Sequence, residues 1–93
     1  SGPPHVRHMS PIPAVAGKHL IIKCPVAGYP IESIVWEKDG VRLPTNIRQR
    51  VNMSVLMVEN VQLGSDQGNY ACTARNKQNI SSHRSVEVRV LGG

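Results

Sequence analysis

An all-β sandwich of two antiparallel sheets is the fold this sequence predicts, and three observations predict it. The only two cysteines, Cys24 and Cys72, bracket the only tryptophan, Trp36. Apolar and polar residues alternate around all three, as strands with one buried face require. Turn residues separate the alternating runs, with Asp39-Gly40 the strongest signal. A sandwich needs a pin between its sheets and a large flat ring packed on it, and Cys24, Cys72 and Trp36 supply both. In Asp66-Gln67-Gly68-Asn69-Tyr70-Ala71-Cys72, Tyr70 stands where a buried ring can bond its hydroxyl back to nearby backbone. Trp36, Tyr70 and Asp66 are therefore assigned to the structural core, with Asp66 expected to pair with Arg48 or Arg50.

Ninety-three residues hold one core. The domain is expected over residues 4–91, with 1–3 and 92–93 as linker. With no Phe and 3% aromatics, the interior must be Val, Ile and Leu around Trp36. A bridge closing a loop of about fifty residues contributes roughly 4 kcal/mol in the chain-entropy model. The even cysteine pair and two sequons, Asn52-Met53-Ser54 and Asn79-Ile80-Ser81, imply an oxidising compartment with Asn52 and Asn79 as glycosylation candidates. No apolar run approaches the ~20 residues of a membrane span. The expected setting is the extracellular surface, as an ectodomain fragment of a single-pass membrane protein without direct membrane contact.

In chain order, Pro11 and Pro13 place 5–16 on an edge strand broken in two. Leu20, Ile22 and Cys24 share the inner face of a strand over 19–24. Residues 25–30 read as a loop, punctuated by Pro25, Gly28 and Pro30. Ile34 and Trp36 mark the next strand, and Asp39-Gly40 turns it into a short strand at 41–43. Strands follow over 47–51 and 54–59, joined by a tight Asn52-Met53 connection, with Leu56 and Val58 inward. Tyr70, Cys72 and Ala74 point inward over 69–75. Val86, Val88 and Val90 alternate strictly with Ser85, Glu87 and Arg89.

The net charge of +5 invites a polyanionic partner, but the basic residues are scattered and no aromatic platform accompanies them, so nucleic acid is not expected. The four histidines do not form a ligand set. His5 and His8 lie three apart on a strand and point to opposite faces, His19 and His83 are isolated, and the cysteines are expected to be bridged. No metal or cofactor is expected. Without a nucleophile elbow or a Gly-rich phosphate loop, enzymatic activity is not expected either.

Several short motifs resemble the immunoglobulin superfamily, and its I-set in particular. They are Gly28-Tyr29-Pro30, Trp36-Glu37-Lys38-Asp39-Gly40 with Leu43 beyond, Leu56-Met57-Val58, Asp66-x-Gly68-x-Tyr70-x-Cys72 and Ala74-x-Asn76. Cys24-Pro25-x-Ala27-Gly28-Tyr29-Pro30 and Val61-x-x-Gly64-x-Asp66-Gln67-Gly68 are similar, more closely, to the variable immunoglobulin domains of the invertebrate Dscam (Down syndrome cell adhesion molecule) family. A first domain of a shortened member fits that likeness. The resemblance implies isoform-specific homophilic adhesion, by antiparallel pairing with an identical domain on an opposing cell. The face used would be the sheet of strands A, B, E and D, which correspond to the runs at 5–16, 19–24, 54–59 and 47–51. It also implies neighbouring immunoglobulin domains in the parent chain.

Period-two alternation locates a face independently. If Leu20, Ile22 and Cys24 face inward, His19, Ile21 and Lys23 face solvent; if Leu56 and Val58 face inward, Val55, Met57 and Glu59 face solvent. Ile21, Val55 and Met57 should then form an apolar spot rimmed by Lys23, Arg48, Arg50 and Glu59. A heterophilic receptor module, binding another protein or a sulfated glycan, is the alternative, with the loop at 27–30 and the turn before residue 81 as its surface.

Overall fold

The computed structural model describes residues 2–6 and 10–92. Ten strands are present among them: β1 (Gly2–Val6), β2 (Ile12–Val15), β3 (Leu20–Lys23), β4 (Val26–Tyr29), β5 (Ser33–Lys38), β6 (Val41–Arg42), β7 (Gln49–Asn52), β8 (Val55–Val58), β9 (Gly68–Arg75) and β10 (Ser81–Leu91). They form a five-stranded sheet in the order β2-β10-β9-β5-β6, a three-stranded sheet β3-β8-β7 and a two-stranded ribbon β1-β4. All pairings are antiparallel except β2 with β10, which run parallel from Ile12 opposite Val88 to Val15 opposite Leu91.

The core lies between the two larger sheets. Leu20, Ile22, Leu56 and Val58 enter it from one side, and Trp36, Tyr70, Cys72, Ala74, Val86, Val88 and Val90 from the other. Trp36 is fully buried and its indole Nε1 donates to the Met53 carbonyl at 3.2 Å, so burial strands no polar atom. Cys24 and Cys72 are joined by a disulfide with Cα atoms 6.1 Å apart. The Tyr70 hydroxyl donates to the Asp66 carbonyl at 2.6 Å, closing the corner expected from the spacing. Arg48, rather than Arg50, reaches the buried Asp66 carboxylate, through two contacts of 2.8 and 3.1 Å.

The expected turns appear with the backbone their residues permit. Asp39 and Gly40 both take positive φ, 49° and 83°, as a twisted hairpin turn demands. The link between β7 and β8 falls one residue later than expected, at Met53-Ser54, with Met53 at φ 51° and Asn52 paired with Val55.

Several readings need correction. Residues 26–29 are a strand, not a loop: Pro25 and Pro30 bracket β4 instead of interrupting it, and β4 pairs with β1. The Val26 N–H donates to the Cys24 carbonyl at 2.9 Å, which breaks the strand between β3 and β4. By hydrogen bonding the A-B-E-D sheet is the trio β3-β8-β7, and among the described residues the run at 5–16 adds no strand to it: β1 pairs with β4 in a separate ribbon and β2 joins β10 in the five-stranded sheet. Finally, β10 begins at Ser81, well before its apolar alternation, and β7 begins only at Gln49, because 46–48 form a turn in which the Asn46 side chain accepts from the Arg48 N–H at 3.0 Å. Paired backbone begins at Gly2, ahead of residue 4.

Candidate surface for self-recognition

The outer face of β3-β8-β7 is built by register. Ile21 lies opposite Met57, which lies opposite Arg50; Lys23 lies opposite Val55, which lies opposite Asn52. The third row continues to Glu59, whose N–H donates to the Arg48 carbonyl at 2.8 Å. Because side chains alternate across a pleated strand, each row shows solvent the residues between the buried ones. Leu20 and Ile22 are 5% and 2% exposed, whereas Ile21 between them is 55% exposed. Met57 and Val55 are half-buried beside it, and His19 and Lys23 are exposed.

The rim is more committed than the sequence suggested. Arg48 does not face a partner freely: besides Asp66, its Nη1 donates to the carbonyls of Glu59 and Asn60, both at 3.1 Å. Burial pushes the Asp66 carboxyl up, but the Arg48 hydrogen bond, the Gln62 N–H and the charges of Arg48 and Lys38 outweigh it and hold it below the usual carboxylate value. Arg48 is thus a strut at the lower end of β7, and the free rim consists of His19, Lys23, Arg50 and Glu59. Arg50, exposed, and Glu59, half-buried, lie 3.6 Å apart.

Both sequon asparagines are exposed. Asn52 is the outward residue beside Val55 at the end of β7. Asn79 stands in the turn from β9 to β10, at φ 66°, and its Oδ1 accepts from Arg75 Nη1 at 2.8 Å. Among the described residues Ile47, 93% exposed, is the most exposed large apolar side chain; it lies between β6 and β7, and Val41, 56% exposed, lies in β6. His8 lies outside the described residues, as does the His5 side chain. Among the described residues no group of three or more His, Cys, Asp or Glu side chains could hold a metal ion, and no helix is long and apolar enough to cross a membrane.

The disulfide across the sheets, the Trp36 packing and the tyrosine corner define an immunoglobulin domain. The immunoglobulin-domain family profile matches residues 3–76, and the chain belongs to that family, a non-enzymatic fold. It is similar to cell adhesion molecules Dscam1 and Dscam2 of Drosophila melanogaster, 48% and 52% identical over 97% of the chain. Cell adhesion molecule DSCAML1 of Homo sapiens is 44% identical over 96%. The chain spans 4% of the length of each of these relatives. Among solved structures, the N-terminal eight immunoglobulin domains of Down Syndrome Cell Adhesion Molecule match with a TM-score of 0.93 and 48% identity, over 98% of this chain and 14% of that one. A titin M10–obscurin-like 1 immunoglobulin complex matches at 0.78 and 30%, over 99% and 96% of the respective chains.

Proposed function

We propose that this domain is a cell-surface adhesion module that pairs with an identical copy, antiparallel, through the outer face of β3, β8 and β7. One observation carries this reading: Ile21 stands 55% exposed on a paired strand, beside Met57 and Val55, with charges of both signs around it. A two-fold axis through the Ile21–Met57 row buries this centre from both copies at once. Met at such a spot lets the contact adapt to its partner. The Arg50–Glu59 pair, solvent-accessible within one copy, is free to exchange partners across the axis. Like charges brought together there cost several kcal/mol, whereas an exposed pair contributes at most about 1 kcal/mol, so His19, Lys23, Arg50 and Glu59 select the partner more than they bind it. The adhesion molecules to which the chain is similar support the assignment.

The test is sedimentation of the purified domain over a concentration series, with Ile21→Asp and Met57→Asp beside the native chain and a bead-aggregation assay mixing identical and non-identical domains. Both variants are expected to stay folded and monomeric. Self-association unchanged in both places the contact elsewhere.

A second reading, capture of a sulfated glycan, is favoured by one observation. Asp39, Glu59, Asp66 and Glu87 are held by Lys38, Arg50, Arg48 and Arg89. Lys18, Lys23, Lys77 and Arg84 have no acidic partner among the described residues. Retention on a heparin column that falls steeply with salt, without self-association, supports this alternative.

A further inference from the structure

We propose that Asn52 is an N-glycosylation site standing on the self-pairing face, so that a sugar there and a second copy of the chain exclude one another. The inference rests on the pairing proposed above and adds its regulation. Asn52 is exposed and occupies the same outward row as Val55 and Lys23, immediately beside the row of Ile21, Met57 and Arg50. Adjacent outward rows are about 7 Å apart along a strand, and faces that pair meet about 10 Å apart. A branched oligosaccharide does not fit in that gap, and its polar bulk over Ile21 keeps water on the apolar centre. Its amide enters none of the hydrogen bonds found among the described residues. Asn79, by contrast, sits in a turn of the five-stranded sheet, where a sugar on Nδ2 leaves both the Arg75 hydrogen bond to Oδ1 and the pairing face undisturbed.

The chemistry requires a lipid-pyrophosphate-linked oligosaccharide as donor. The Asn52 amide nitrogen attacks the anomeric carbon, an N–C bond forms, the C–O bond to pyrophosphate breaks, and one amide proton is lost as the lipid pyrophosphate leaves.

In the folded domain the backbone of this sequon is tied down, which opposes the rearrangement that transfer imposes. The Met53 carbonyl accepts from Trp36 Nε1 at 3.2 Å, the Ser54 carbonyl accepts from the Cys24 N–H at 2.6 Å, and Asn52 and Val55 are paired on either side of the two-residue turn. Transfer therefore precedes closure of the β7–β8 hairpin onto the core. Occupancy is therefore set by whether transfer precedes that closure, and partial occupancy divides the secreted chain into a sugar-bearing, monomeric fraction and a bare, adhesive one.

The test uses the domain secreted from glycosylating cells as the Ser81→Ala variant, so that Asn52 carries the only sequon. Site-resolved mass spectrometry reads occupancy, lectin affinity separates the two fractions, and each is sedimented. The bare fraction is expected to self-associate and the glycosylated fraction to do so at least about tenfold more weakly. The Ser54→Ala chain, bearing sugar only on Asn79, is expected to associate like the bare fraction. Asn52 bare in every molecule, or a glycosylated fraction that associates as strongly as the bare one, overturns the inference and leaves the pairing reading standing. A bare fraction that stays monomeric at every concentration overturns the pairing reading itself, and the gate with it.

Discussion

Gly68 shows how one residue type is forced by its neighbours. Its φ of 152° is a conformation that L side chains rarely adopt, and a Cβ built there would meet the Asp39 carboxylate, 2.5 Å from Oδ2 and 3.0 Å from Oδ1. That carboxylate is not free to retreat without loss, because Oδ1 accepts from the Asn69 N–H at 3.0 Å. Gly68→Ala should therefore cost about 2 kcal/mol, combining backbone strain with one weakened hydrogen bond. Chemical denaturation measures it. Repeating the substitution on an Asp39→Ala background should return only the part due to the clash, leaving the strain. Tyr70 makes a second prediction at this scale. Burial, then the negative charges of Asp66 and Asp39, push its phenol up to about 12, with Arg48 opposing. A folded value above the unfolded one of about 10 means that this contribution to stability is complete below pH ~10 and is lost as pH rises through about 12. The Asp66 carboxyl, held low, contributes above its unfolded value of about 3.9 and is lost on further acidification. Tyrosinate absorbance against pH, beside a thermal denaturation series, reads the alkaline limb. A Tyr70 that ionises near 10 without unfolding contradicts it.

At the scale of elements, alternation in β3 makes a paired prediction. Ile21→Asp should leave the melting temperature within a degree or two, whereas Ile22→Asp puts a carboxylate among Leu56, Val58 and Trp36 and should cost several kcal/mol or prevent folding. Circular dichroism on both variants decides it, and equal damage would mean that the face assignment is wrong. Alternation made β3, β8, β9 and the second half of β10 legible, because each buries every other residue against the same core. It says nothing about β4 or the first half of β10. Those segments are held by backbone pairing, β4 to β1 and Ser81–Ser85 to β9, and none of residues 81 to 85 is buried. Pro25, Gly28 and Pro30 look like loop punctuation when no partner strand is visible. The same limit applied to the candidate face. Parity placed Ile21, Met57 and Lys23, since it depends on the strand alone. It did not say that Arg48, rather than Arg50, would be spent on Asp66, since that depends on where β7 begins relative to the turn after β8.

Over the whole molecule, the charge balance separates the two readings by the sign of their salt dependence. Each copy carries a net +5, and four of the six acids are already matched to bases of the same chain. The smallest dimension of the domain is 19 Å, so two copies whose sheets meet about 10 Å apart have centres about 30 Å apart. Treated as point charges in water they repel by about 3.5 kcal/mol unscreened. A Debye length of about 30 Å at 0.01 M salt leaves roughly 1.3 kcal/mol of this, and about 8 Å at 0.15 M leaves about a tenth. The exchangeable Arg50–Glu59 pairs act in the opposite direction, but exposed pairs contribute less than about 1 kcal/mol and are themselves screened. The long-range term wins at low salt. Self-association is therefore expected to strengthen by roughly tenfold as salt rises from 0.01 to 0.15 M, then to level off as the apolar centre around Ile21 takes over. A complex with a sulfated glycan must instead weaken continuously over the same range, because it consists of the attraction that salt screens. Sedimentation across a salt series reads the sign directly, and self-association that falls steadily with salt would mean that charge pairs, rather than the Ile21–Met57 row, hold the copies together.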